Sequence, residues 1–231
     1  MNTTDRDGGR RPVIFVDVEA SGLSPGSYPV EVGWACPRAL PWGRCAIELG
    51  SVLVRPEAEW LSSGSWDPDA EAVHGISRGV LRRDGVPTAE VCDLLDREFG
   101  GHMVATDTGR GSVDDMWLAE LYEAAGRAPS RWELSKPTSD QVVVDTCRAH
   151  GLRPELVLGA LHSRAPRPTH AAAEDALHHA WLYAMVRQVG RFGIGERDAA
   201  GQRAAMRDLA RSVPPDCWPR VATAGGFRKR A

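Results

Sequence analysis

The sequence predicts an α/β fold: a mixed five-stranded sheet, an antiparallel meander of three strands and then two strands with crossover helices, flanked by helices. Two features predict it. Three strand-like segments with short turns between them fill residues 13 to 56, which implies the meander. Strands then alternate with helices, which implies parallel pairing through crossovers.

The first strand is 13–19, where Ile14, Phe15, Val16 and Val18 form an almost continuous apolar run. The second is 28–35, with Val30, Val32 and Trp34 alternating against Glu31 and Gly33. The third is 45–56, with Ile47, Leu49, Ser51 and Leu53 on one face. The linkers GLSPGSYP and CPRALPWG carry turn chemistry. A helix follows at 88–100, with Thr88 as N-cap and Val91, Leu94 and Leu95 facing inward. HMVAT, 102–106, reads as a short strand, and 113–127 as a helix burying Leu118, Leu121 and Tyr122. QVVVD, 141–145, reads as the fifth strand, with helical stretches over 146–161. The strongest late helix is 171–186, whose apolar set is Leu177, Trp181, Leu182 and Met185. The expected organisation is a flexible lead-in over 1–11, a domain over 12–190, and a helical to irregular extension over 191–231 with the basic end FRKR.

At 42% hydrophobic residues the 231-residue chain can bury a real core, and a net charge of −3 demands no polyanionic partner. A local basic rim is still enough to attract one. Of the 28 basic residues only Lys136 and Lys229 are lysine, so 26 are arginine. The five cysteines form no CxxC pair and are odd in number. That argues against a disulfide framework or a zinc site and for a reducing interior. The N-terminal stretch MNTTDRDGGRR has no apolar signal segment, and no apolar run reaches membrane-spanning length. The expectation is a cytoplasmic protein with no membrane partner.

Three groups of acids stand out. Asp17 and Glu19 lie two apart on the first strand and so share a face, about 6.6 Å apart along it. A carboxylate in an apolar setting is costly unless it is paired or bound to metal. That spacing suits a shared hard cation such as Mg²⁺. In THAAAEDALHH, His170 and Asp175 converge only if His170 stands before the helix and Asp175 projects from its first turns. Pro166 and Pro168 favour this by keeping the approach extended. In TDTGRGSVDDMWL, Ser112 and Asp115 have capping-box spacing, which leaves Asp114 without a structural duty. Asp107 at the end of a strand is a further candidate.

Together these segments resemble the DEDDh 3′–5′ exonucleases, a family of proofreading exonucleases, oligoribonuclease and RNase T-like enzymes on an RNase H-like fold. VDVEASGL is similar to the first motif, VDDMWL to the second and HAAAED to the third, over residues 12 to 187. Val113 stands where the second motif normally has an aromatic, so Asp114, Asp115 and Asp107 all stay open for that position. The resemblance implies a 3′–5′ exonuclease releasing nucleoside 5′-monophosphates from single-stranded DNA or RNA, with two divalent cations, Mg²⁺ or Mn²⁺. In it Asp17, Glu19 and Asp175 hold one cation, Asp17 and Asp114 serve the second, and His170 is the general base. The turn Ser21, Gly22 and Leu23, then His74 and Ile76 of VHGIS, and Arg164 and Arg167 would contact substrate. Trp34 matches an aromatic often found on the second strand, and Arg78, Arg82 and Arg83 are near enough in sequence to propose as phosphate contacts, with a solvated helix face as the alternative reading. Relatives include dimers and subunits, so a homo-oligomer stays open. The alternative is a catalytically silent RNase H-like module that binds nucleic acid or a partner.

Overall fold

A computed structural model describes residues 11–109, 111, 113–128 and 137–223 of the chain. Its centre is one sheet of order β4-β1-β2-β3-β5. The strands are β1 (Val13–Ala20), β2 (Pro29–Ala39), β3 (Cys45–Leu53), β4 (Met103–Thr106) and β5 (Arg220–Thr223). Strands β1, β2 and β3 form the antiparallel meander, with β4 parallel to β1 and β5 parallel to β3. The mixed five-stranded sheet flanked by helices is therefore as expected from the sequence.

Side-chain alternation along β1 divides the core in two. Ile14, Val16 and Val18 face one layer. It is built from α1 (Ala58–Ser63), α3 (Arg78–Asp84), α4 (Thr88–Phe99) and α5 (Val113–Ala124), with the short α2 (Pro68–His74) preceding α3 in the chain. Trp34 belongs to this layer, edge-on to Phe99 at 5.9 Å, and Gly50 leaves room for its ring. Val13 and Phe15 face the other layer. That layer holds α6 (Ser139–Ala149), α7 (Pro154–His162), α8 (Ala172–Arg191), α9 (Ala199–Arg207) and α10 (Leu209–Ser212).

One expected strand is a helix. QVVVD lies within α6 and adds nothing to the sheet. Thr138 caps that helix, its hydroxyl accepting the Gln141 N–H at 3.3 Å. Val142, Val143 and Cys147 then fall on one helical face and pack into the core. Gln141 also bonds Asp145 one turn on, at 2.7 Å. Tertiary burial on a 3.6-residue period thus overrides the β preference of three valines. The fifth strand is instead β5, from the segment beyond residue 190. Ile194, Ala205, Met206, Leu209 and Val213 of that segment join the core under α8. Gln202 is fully buried and clamps this region, accepting from Arg153 N at 3.0 Å and donating to the carbonyls of Gly151 and Arg197 at 3.1 Å. Residues 1–10, Ser112, Lys136 and the basic end FRKR lie outside the described residues. Among the described residues no helix is long and apolar enough to cross a membrane.

Candidate metal site

The row Val13, Phe15, Asp17, Glu19 runs along one face of β1, and its apolar half packs against the core that α8 covers. Opposite this row, β2 presents Gly33 beside Asp17 and Glu31 beside Glu19. Gly33 is essential to the geometry. A Cβ there would stand 2.1 Å from Ala173 N and 2.3 Å from the Ala172 carbonyl carbon. The first turn of α8 therefore rests directly on the backbone of β2. That contact brings Asp175 down to the end of β1. Oxygens of Asp17, Glu19 and Asp175 all lie within 4.8 Å of one another, each side chain partly buried.

Three carboxylates so placed repel one another when ionised. Burial pushes the Asp17 carboxyl up to about 9, and the charges of Glu19, Asp107, Asp114 and Asp175 add to the effect. A hard divalent cation is the partner that relieves this, since it prefers carboxylate oxygens. The donor set fits Mg²⁺ or Mn²⁺.

Asp114 is buried near the trio but is not one of it. Its Oδ2 accepts from Thr108 Oγ1 at 2.6 Å. Burial raises its pKa and the Thr108 bonds oppose the rise. Asp115 accepts the Gly111 N–H at 2.8 Å, back across the start of α5, as a capping acid does. Asp107 pairs with His179, whose Nδ1 is 3.1 Å away, while the Nε2 of the same ring is 3.1 Å from Asp140. Burial raises the Asp107 carboxyl and His179 lowers it. Neither His179 nor Glu31 was singled out from the sequence. His179 lies one helical turn beyond Asp175, and Glu31 shares the strand alternation of Gly33. Those are the signals that would have found them.

His170 stands in the lead-in to α8, exposed, with φ 58°. Among the described residues it is the one non-glycine residue with positive φ. Thr169 holds this turn against the helix, its N–H donating to Asp175 Oδ1 at 2.7 Å and its hydroxyl to Glu174.

The expected substrate contacts divide. Leu23 projects into solvent at 81% exposure. Gly22 packs against Asp67. Ser21 is buried, its hydroxyl donating to Ser65 O at 2.7 Å and accepting from Tyr28 N at 2.9 Å, so it holds the turn together. His74 and Ile76 are also buried. The left-handed Gly75 that ends α2 turns Ile76 into the core, and His74 Nδ1 accepts the Ile76 N–H at 3.0 Å. Arg164 and Arg167 are exposed ahead of His170, with Arg164 donating to Ala160 O at 2.7 Å. Arg78 lies over the Trp66 ring, Arg82 is exposed, and Arg83 pairs with Asp84 at 2.9 Å.

The same sheet and helix arrangement occurs in solved structures. The zinc-bound form of the E. coli exonuclease I complex with single-stranded DNA superposes with a TM-score of 0.55 at 16% identity, over 88% of this chain and 43% of that one. E. coli exonuclease I in complex with an oligonucleotide gives 0.55 at 17%, over 84% and 45%. The moderately thermophilic exonuclease I of Methylocaldum szegediense gives 0.53 at 17%, over 85% and 45%. The fold is similar to that of exonuclease I. This chain spans under half the length of those exonuclease I chains. It matches no protein-family model and no curated protein.

Proposed function

We propose that the chain is a cation-dependent 3′–5′ exonuclease that hydrolyses terminal phosphodiesters of single-stranded nucleic acid. The observation that carries this reading is the meeting of Asp17, Glu19 and Asp175, which are far apart in sequence, at the mouth of α8. The DEDDh resemblance names the same three residues, and a fold like that of exonuclease I, solved with single-stranded DNA, favours DNA as substrate.

Asp17, Glu19 and Asp175 would hold one divalent cation, and Asp17 with Asp114 the second. When bound, the pair supplies positive charge at the attacking and leaving oxygens of the phosphodiester. The chain's own residues do the rest. His170, exposed in the lead-in to α8, accepts a proton on a ring nitrogen from the attacking water as its oxygen bonds to phosphorus. The bond from phosphorus to the 3′-oxygen breaks, and the departing oxygen takes up a proton. The products are a nucleoside 5′-monophosphate and a strand one residue shorter. The positive φ of His170 supports this role, because such strain, about 1–3 kcal/mol, gathers at functional positions. Leu23 offers an apolar surface for the terminal base, and Arg164 and Arg167 offer charge to the backbone.

The second reading, a catalytically silent module, draws on Asp114, which is bonded to Thr108 and is not one of the three acids that converge. A nuclease assay separates the two. Single-stranded DNA and RNA, labelled at the 3′ end, are incubated with Mg²⁺ or Mn²⁺ and either the wild type or Asp17→Ala. The exonuclease reading requires 5′-monophosphates from the wild type only. Equal inactivity of both proteins across the panel would establish the silent module.

Two substitutions test the assigned roles. His170→Ala is expected to lower turnover by about 10²-fold or more, as for a lost general base, with cation affinity unchanged by calorimetry. A variant that no longer binds the cation would make His170 a ligand instead. Asp115→Ala is expected to cost about 1 kcal/mol of stability and leave turnover near wild type. Asp114→Ala is expected to abolish turnover. Thermal melts and product assays on the pair decide which acid is which.

A further inference from the structure

Helix α8 begins without a cap of its own. Its N-cap residue is Ala171, which has no side-chain acceptor, so the first N–H groups of the helix need partners from elsewhere. We infer that Glu31 of β2 is the positioning residue that seats α8, and through it Asp175, at the end of β1. Glu31 is buried, and its Oε2 lies 3.3 Å from the Ala172 N–H, across 141 residues of sequence. It is directly opposite Glu19 and two residues before Gly33, on the sheet face that α8 covers.

Like charges facing each other across an antiparallel pair destabilise it. The amide end of α8 answers that for Glu31, because it carries unsatisfied N–H groups and the positive end of the helix dipole. The oxygens that converge within 4.8 Å belong to Asp17, Glu19 and Asp175, not to Glu31. The two opposed glutamates thus divide the work: Glu31 holds the helix and Glu19 faces the cation. The consequence for cation binding rests on the proposed function, whereas the seating of α8 rests on geometry alone.

The test uses Glu31→Ala and Glu31→Gln in the full chain, with two readouts. One is amide hydrogen exchange at Ala172 and Ala173 in chelator. The other is Mn²⁺ affinity by calorimetry. Glu31→Ala is expected to lose protection at those amides and to weaken Mn²⁺ binding by about 10- to 100-fold, as for other outer-sphere supports. Glu31→Gln keeps an acceptor oxygen and is expected to restore both to within about threefold. Wild-type protection in Glu31→Ala would overturn the inference. Equal loss of affinity in both variants with protection intact would also overturn it, and make Glu31 a direct ligand. If the alanine variant does not fold, the glutamine variant decides, since a positioning role requires it to fold with α8 protected. A wild type that binds Mn²⁺ without cleaving nucleic acid would sink the exonuclease reading and leave this one standing.

Discussion

Asp17→Asn is expected to abolish Mn²⁺ binding at the trio and, in chelator at pH 8, to raise the melting temperature of the protein. The two effects share one cause. The Asp17 carboxyl is pushed from an ordinary 3.8 up to about 9, first by burial and then by its acidic neighbours. A group whose pKa is higher in the folded state contributes stability that is fully present below its unfolded pKa. That stability is lost as the pH rises through the folded value. Without cation, the wild type should therefore lose stability steadily between about pH 4 and pH 9. Asp107 and Asp114, also raised, act in the same direction. An uncharged Asn of the same shape removes the largest contribution and flattens the profile. For a chain of this size each kcal/mol moves the melting temperature by about 2–4 °C, so a gain of several degrees at pH 8 is expected. With Mn²⁺ the wild-type trend reverses, because cation binding displaces protons and strengthens with pH. Melts in chelator and in Mn²⁺ from pH 5 to 9 check both limbs. A variant that keeps the wild-type slope in chelator would mean that Asp17 is not the strained acid.

Much of this arrangement is legible in the sequence, because it follows from local periodicity. The apolar run before Asp17 announces a buried strand, and period-two alternation puts Asp17 and Glu19 on one face. Pro166 and Pro168 announce that the chain stays extended before α8, which sets His170 outside the helix. What was not legible depends on contacts between distant segments. QVVVD has the composition of a strand, yet becomes helical because Thr138 caps it and Val142, Val143 and Cys147 meet the core on one side. Strand β5 is four residues long and owes its existence to the free edge of β3. His74 and Ile76 carry no burial signal in the sequence. The left-handed turn at Gly75 buries them, and only the fold decides which way that turn faces. Glu31 and Gly33 read as the outward residues of an alternating strand, when in fact a helix lies on them.

That helix contact supports the last prediction. Gly33→Ala is expected to destabilise the protein by about 1–3 kcal/mol and to weaken Mn²⁺ binding by at least about tenfold, with all the acids still in place. The atoms facing the new methyl are the Ala173 nitrogen at 2.1 Å, the Ala172 carbonyl carbon at 2.3 Å and the Ala172 Cβ at 2.7 Å. All belong to a helix backbone or its first side-chain atom, so no rotamer change relieves the clash. Strand β2 is locked between β1 and β3 and cannot retreat. The start of α8 must lift, and Asp175 lifts with it away from Asp17 and Glu19. The control is Gly159→Ala on α7, where an added Cβ meets nothing within 4 Å and the site is exposed. There the higher helix propensity of alanine should add up to about 1 kcal/mol of stability. Melts and calorimetry on the two variants separate a general glycine effect from a specific one. A Gly33→Ala protein that melts and binds Mn²⁺ like the wild type would show that α8 does not rest on β2, and the geometry that brings Asp175 to the other two acids would fail with it.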